Sequence, residues 1–472
     1  MPGSFYDGDI EVLDDLPRDH CGIFGVFGNE DAALQTYYAL HLQQHRGQES
    51  AGIVSASRNR IWVHHGMGIV NDVFNTESLK KLHGRSAIGH VRYSTAGSST
   101  VLNAQPFLRD TPHGQWALAH NGQIANYASL RSSLMQNRGT VLSTGSDSEL
   151  MIHVLASSRK HSLEDILVDA GRKMSPSFSA LILTKKEMVA MRDPCGVRPL
   201  VYGEVDGSPA FASESVAFQI PGGKFIKVVE RGHAVIVSDS GIKDIEFAPP
   251  KQFLGCIFEF FYFSHPCTYL FNIDATVGEV RRELGADIYR QSPVDADIVA
   301  GVPDSSIDLA IGYSTSSGIP FGQPLRRSHY IGRTFIMPEQ NTRDFAVMKK
   351  FYFDDSYIRG KRIILMDDSI VRGTTLKKLV EKLKQHGAKE VHVRIGSPPY
   401  LHSCYLGVDT SRQELLVARN KSIPQIRDYL GADSLEYLGF DTLRSNRFLG
   451  PFYSKNEFCT YCFDGKMLIP NR

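Results

Sequence analysis

At 472 residues, with 42% apolar and 22% charged side chains, the chain is long enough for two or three folded domains and has the balance of an ordinary globular protein. Lys plus Arg (52) against Asp plus Glu (51) leaves a net charge of +1, so no global field draws it to nucleic acid or an anionic membrane. No apolar run approaches the roughly 20 residues of a membrane span, and residues 1–20 carry six acidic side chains without an apolar segment, unlike a secretory signal.

The expectation is therefore a reducing cytoplasm, where cysteines bind metal or do chemistry rather than pair. No internal repeat or low-complexity tract interrupts the chain. Residues 21–250 read as short glycine-punctuated strands: CGIFGVFG, AGIVSAS, AIGHVRYS, WALAHNG, SALILT and AVIVS. DAALQTYYALHLQQH and SDSELMIHVLASSRK read as helices between them, which predicts an α+β sandwich. The turn-rich stretch SDSGIKDIEFAPPKQ places a domain boundary near residue 250. Beyond it the rhythm alternates. TVGEVRRELGADIYRQ is helical, ADIVAGVPDS is strand then loop, and RIILMDDS is a buried strand. LKKLVEKLKQHG is a helix with Leu376, Leu379, Val380 and Leu383 at i, i+3, i+4, i+7, and VHVRIGSPP is a further strand. Strand–helix–strand succession predicts an α/β domain over 251–472, with a parallel sheet and its ligand at the strands' carboxyl ends.

The stretch RIILMDDSIVRGTTLKKL carries the first candidate site. An apolar strand stops at Asp367 and Asp368, a loop of Ser369, Arg372, Gly373, Thr374 and Thr375 follows, and a helix begins. Backbone N–H groups, hydroxyls and the positive helix terminus suit a phosphate, and Gly373 lets the backbone come close. The two carboxylates would repel phosphate; they suit a ribose diol or a hydrated Mg²⁺. The plain alternative is a capped helix behind two solvated acids. ILMDDSIVRGTT resembles the phosphoribosylpyrophosphate (PRPP) motif of type I phosphoribosyltransferases. The resemblance implies that Asp367 and Asp368 contact the ribose hydroxyls and that Ser369, Arg372, Gly373, Thr374 and Thr375 hold the 5′-phosphate. VPDSSIDLAIGYSTSSGIPFG resembles the family's pyrophosphate and metal segment, which implies that Ser305 joins Asp367 and Asp368 as a Mg²⁺ contact.

Cys21, before the first strand, carries the second. A thiol of pKa ~8.5 needs a base. Cleavage after His20 would free a Cys21 α-amino group titrating near ~8, so thiol and base would belong to one residue and residues 1–20 would be a propeptide. Alone, Cys21 reads equally as a small buried hydrophobe. Its company is HRGQESAGI (45–53), GHVRYSTAG (89–97), AHNGQIAN (119–126), STGSDSE (143–149) and RDPCGVRPL (192–200). These motifs resemble the N-terminal-nucleophile glutamine amidotransferases, and the two halves together resemble the amidophosphoribosyltransferases. That resemblance implies an αββα domain over 21–250 followed by a type I phosphoribosyltransferase domain over 251–472. It implies that Cys21 attacks glutamine, Arg92 grips its α-carboxylate and Asp147 its α-ammonium, and that Asn121 and the Gly122 N–H form the oxyanion hole. The implied substrates are glutamine and PRPP, and the implied product is 5-phosphoribosylamine, the start of purine synthesis. The implied assembly is a homo-oligomer. A Cys-glutaminase making asparagine or glucosamine 6-phosphate would need a nucleotide loop or an isomerase domain that 251–472 does not offer.

Cys459 and Cys462 form a C-x-x-C pair, with Cys256 and Cys404 remote in sequence; zinc, iron–sulfur and redox readings are all open on spacing alone. One branch of the resembled family carries a cleaved leader and a structural [4Fe–4S] cluster, which implies Cys256, Cys404, Cys459 and Cys462 as its ligands and leaves Cys195 and Cys267 as ordinary thiols. Three segments depart from the family pattern. YFSHPCT has His265 and Cys267 where an arginine and Pro-Asp-Ser are usual. VMKKFYF keeps the loop residue Lys350, expected to bind PRPP, but has Tyr352 and Phe353. PLRRSHYIGRTFI offers Arg327, Ser328 and His329. A diverged PRPP-binding paralogue with a changed acceptor or a regulatory role is the alternative these departures raise.

Overall fold

A computed structural model describes residues 21–93, 100–138, 140–328, 351–408 and 413–469. Two antiparallel sheets stack face to face in the first half. One holds seven strands in the order Gly223–Val228, Val201–Val205, Ser208–Ala212, Gly22–Phe27, Ser86–Arg92, Ser50–Ala56, Ile61–Met67. The other holds six: Gly241–Glu246, His233–Ser238, Glu187–Arg192, Phe178–Leu183, Gly114–Gly122, Phe107–Thr111.

The central strands are apolar on both faces because both faces are covered. In Gly22–Phe27, Ile23 and Phe27 point into the inter-sheet core with Ile88, Ala117 and Leu181. Phe24 and Val26 point the other way, onto Ala39 and Leu40 of the helix Ala32–Leu42. In Gly114–Gly122, Ala117 and Ala119 meet the same inter-sheet core. Trp116 and Leu118 pack under the helices Asp147–Ala156 and Leu163–Gly171. The layers are helix, sheet, sheet, helix, as expected. The stretch read as a turn-rich boundary instead carries the strand Gly241–Glu246, paired with His233–Ser238. It is a sheet edge with mostly exposed side chains, held by ladder hydrogen bonds that need no apolar alternation.

The second half contains a four-stranded parallel sheet in the order Ile298–Gly301, Arg362–Asp367, Glu390–Ile395, Ser434–Tyr437. Ile364 and Met366 face a core shared with the helices Val277–Gln291 and Ile307–Ser317. Ile363 and Leu365 face Leu376, Leu379, Val380 and Leu383 of the helix Thr374–Gln385, the stripe its periodicity predicts. The halves meet through buried polar contacts: Ser177 Oγ and Arg198 Nη2 both donate to Leu406 O, at 2.7 and 3.1 Å. Among the described residues no helix is long and apolar enough to cross a membrane.

Candidate functional site

Cys21 stands at the entrance to the central strand Gly22–Phe27, nearly buried, its Sγ 3.9 Å from Tyr93 O. Asn121 and Gly122 end the strand Gly114–Gly122 of the facing sheet. One hydroxyl joins the two strands: Ser213 Oγ accepts from Ile23 N at 3.1 Å and from Asn121 Nδ2 at 3.4 Å. Gly122 has φ +139°, and a β-carbon there would lie 2.4 Å from Ser177 O, so only glycine closes this strand end.

Asp147 opens the helix Asp147–Ala156, where its charge faces the positive terminus. Its Oδ2 accepts from Ile124 N at 3.1 Å, and its Oδ1 lies 3.7 Å from His120 Nδ1. Burial lowers the pKa of both His90, to about 3, and His120. Neutral His90 donates Nε2–H to His120 O at 3.1 Å, steadying the peptide that carries Asn121. Arg92 is held by Glu49, Nη1 to Oε1 at 2.8 Å, with both side chains largely out of water. The structure thus gathers Cys21, Asn121 and Gly122 around two facing strand ends and sets Asp147 beside His120. Sequence reading passed over Ser213, His90, His120 and Glu49. Three of these lie inside motifs it quoted; Ser213 lies in none, and only the sheet pairing reveals it.

The acidic pair sits where the parallel sheet predicts a ligand, at the carboxyl end of Arg362–Asp367. Asp367 and Asp368 are buried. Ser305 Oγ donates to Asp368 Oδ1 at 2.7 Å, Ser369 Oγ to Asp368 Oδ2 at 2.8 Å, and Ser306 Oγ to Asp367 Oδ1 at 3.1 Å. Burial raises both carboxyl pKa values, and Asp368 raises that of Asp367 further. Two adjacent desolvated acids are relieved by a cation or by hydroxyl donors. Gly373, at φ +80°, turns the chain into the helix Thr374–Gln385 so that the loop from Ser369 ends at a helix terminus. Thr374 is exposed and Thr375 and Arg372 are half-buried beside it. Ser306 is a further partner that the neighbouring Ser305 overshadowed in sequence. Lys350 and His329 lie outside the described residues, as do residues 1–20.

The four candidate ligand cysteines are half-buried and drawn from three chain segments. Cys256 and Cys459 are register partners in the short parallel ladder Gly255–Cys256 with Phe458–Cys459. Cys404 packs in the same cluster as both, and Cys462 O accepts from Leu401 N and His402 N at 2.8 and 3.0 Å. Burial and the neighbouring cysteines push the Cys256, Cys459 and Cys462 thiols up, Cys459 to about 12. Among the described residues no three His, Cys, Asp or Glu side chains are arranged to hold a metal ion as they stand. Cys195 is buried against the same cluster, while Cys267 is exposed. The cysteines also touch the first half, since Cys256 N donates to Val197 O at 3.0 Å.

The departing segments have definite places. Arg327 pairs with Asp304, and Ser328 Oγ donates to the Tyr352 hydroxyl at 3.2 Å. Phe353 stacks on His386 at 5.0 Å between ring centroids. His265 sits where the two halves meet, its ring 5.5 Å from that of His45.

Residues 90–219 match a family model described as a glutamine amidotransferase domain. The chain is 42% identical over 466 residues to amidophosphoribosyltransferase 2, chloroplastic, of Arabidopsis thaliana, covering 98% of this chain and 82% of that one. It is 41% identical over 453 residues to amidophosphoribosyltransferase of Bacillus subtilis, covering 95% and 94%. It also superposes on the glutamine PRPP amidotransferase from B. subtilis complexed with ADP and GMP, with a TM-score of 0.88, 39% identity and coverage of 96% and 98%.

Proposed function

The chain belongs to the amidophosphoribosyltransferases, glutamine-dependent enzymes that convert PRPP, glutamine and water to 5-phosphoribosylamine, glutamate and pyrophosphate, and on that premise we propose how its own residues divide the work. Cys21 is the nucleophile of the N-terminal domain. Its Sγ bonds to the side-chain amide carbon of glutamine, and its proton passes through its own α-amino group to the departing nitrogen. Ammonia leaves, a thioester remains, and water releases glutamate. This requires the His20–Cys21 peptide bond to be cut, because an amide nitrogen is no base. Asn121 and the Gly122 N–H receive the developing oxyanion; one such donor is typically worth ~10²–10³ in rate. Asp147 takes the α-ammonium of glutamine and Arg92, released in part from Glu49, its α-carboxylate.

Ammonia then displaces pyrophosphate from C1 of PRPP at the carboxyl end of the parallel sheet. Asp367 and Asp368 take the ribose hydroxyls. Ser369, Arg372, Gly373, Thr374 and Thr375 take the 5′-phosphate, and Lys350 is assigned to PRPP binding with them. The buried, proton-seeking acid pair with Ser305 is the hard oxygen set that suits Mg²⁺, which when bound neutralises charge on the departing pyrophosphate. Thiols brought together from three chain segments, with Cys404 and Cys459 raising the pKa of both Cys256 and Cys462, suit an iron centre that takes them as thiolates. Cys256, Cys404, Cys459 and Cys462 would hold a [4Fe–4S] cluster whose part is structural, pinning the C-terminal tail to the rest. Assembly as a homo-oligomer and a reducing, cytoplasmic setting complete the proposal.

The observation that carries this division is that the strand ends bearing Cys21 and Asn121 are tied by one hydroxyl, Ser213 Oγ, which accepts from Ile23 N and from Asn121 Nδ2. The test is an assay of glutamate and pyrophosphate release, with N-terminal sequencing of the purified protein. Mature chain should begin at Cys21, and Cys21→Ala should lose glutamine use while keeping ammonium-driven pyrophosphate release. Active enzyme that retains residue 20, or loss of both activities, would overturn the assignment.

A further inference from the structure

We infer that Glu214 and Glu259 are positioning residues of the glutaminase site, holding the backbone of Cys21 through Arg46 and so tying the nucleophile to the C-terminal domain; this rests on the reading of Cys21 as nucleophile. Arg46, Glu214 and Glu259 are each 0% exposed. Arg46 donates Nε–H to Cys21 O at 3.1 Å. Its Nη1 and Nη2 donate to the two oxygens of Glu259 at 3.1 and 3.0 Å, and Nη1 also to Glu214. A guanidinium taken wholly out of water is held by such partners or not at all. Arg198 Nη1, 3.7 Å from Glu259 Oε1, adds a second cation, so two positive and two negative side chains close the cluster.

The cluster crosses the domain boundary in both directions. Glu259 comes from the C-terminal half and grips Arg46 of the N-terminal half. Glu214 comes from the N-terminal half and accepts from His265 N at 2.9 Å and Thr268 Oγ1 at 2.7 Å. Burial would raise the Glu214 carboxyl, but His45 and Arg46 hold it well below the usual range. Glu214 therefore serves as a fixed anion.

Glu259 opens a π-helical turn, Glu259–Phe263, a conformation that recurs at functional sites. The same segment is gripped from its other side. Arg281, buried, donates Nε–H to Phe260 O at 2.7 Å and Nη2–H to Ser264 O at 2.9 Å. One short segment thus lies between two buried guanidiniums, Arg46, which holds the nucleophile's carbonyl, and Arg281.

The test uses the full enzyme carrying Glu259→Gln, which keeps the shape and removes the charge. The glutamine kcat should fall about ten- to a hundredfold, as displacement of a nucleophile does. The KM for glutamine should hold within about twofold, since Arg92 and Asp147 are untouched. Ammonium-driven pyrophosphate release should persist. Thr268→Val removes one donor to Glu214 with little disturbance of the fold and should lower the same kcat about two- to fivefold; it decides the matter if Glu259→Gln does not fold. Unchanged glutamine kcat in both variants, or glutamine and ammonium activities falling together, would overturn the inference. Wild-type enzyme without glutamate release, or Cys21→Ala that retains it, would instead remove the nucleophile assignment.

Discussion

Glu149 anchors the turn that delivers Asp147, and its removal has a calculable cost. The carboxylate is 1% exposed and accepts from Thr144 N at 2.7 Å, Thr144 Oγ1 at 2.8 Å, Ser143 N at 3.2 Å and Arg109 Nη2 at 2.9 Å. Burial would raise its pKa, but the donors from Ser143, Thr144 and Arg109 win and lower it from 4.5 to about 2. At about 1.36 kcal/mol per unit, that is about 3 kcal/mol of stability when the group is ionised in both folded and unfolded chains. A depressed folded pKa contributes in full above the unfolded value near 4.5 and loses its contribution as pH falls toward 2. Glu149→Gln, which cannot take all these donors as an anion does, should therefore destabilise the N-terminal domain by about 2–3 kcal/mol at pH 7. The deficit should shrink by about 1 kcal/mol at pH 3.5. Both tryptophans, Trp62 and Trp116, lie in this domain, and Trp116 packs with Leu150 and Met151 under the same helix. Urea unfolding followed by tryptophan fluorescence reads this domain selectively. A deficit that stays constant from pH 7 to 3.5 would refute the assignment of the stabilisation to an ionised Glu149.

Gly122→Ala should lower glutamine turnover about 10²–10³-fold by displacing an oxyanion donor, and should leave ammonium-driven pyrophosphate release intact; equal glutamine turnover in variant and parent would contradict the placement. Protein purified without oxygen should be brown and carry about four iron and four sulfide per chain, both lost in Cys459→Ser, whereas a colourless protein containing zinc would correct the ligand reading.

The order of elements, an α+β sandwich and the parallel sheet behind it were legible in the chain because buried strands and amphipathic helices leave unequal periodicities; the helix–sheet–sheet–helix layering came with the family resemblance. The loop Asp367–Thr375 was legible for a related reason: every group in it is contributed locally, by one strand end and one helix start. The edge strand Gly241–Glu246 was not. It is held by backbone pairing and leaves its side chains to solvent, so its sequence resembles a turn.

The motif resemblance could name Cys21, Arg92, Asn121, Gly122 and Asp147, but not how they are held. Ser213 meets Ile23 and Asn121 across 190 and 92 residues, and Arg46 meets Glu259 across 213. No periodicity carries such pairings, since they depend on which strand lies beside which and on a charge that burial forbids to stand alone. The primary structure by itself determined which chemistry the chain carries; packing decided which charges the two domains share, because only in the absence of water must a guanidinium find its carboxylates wherever in the chain they come from.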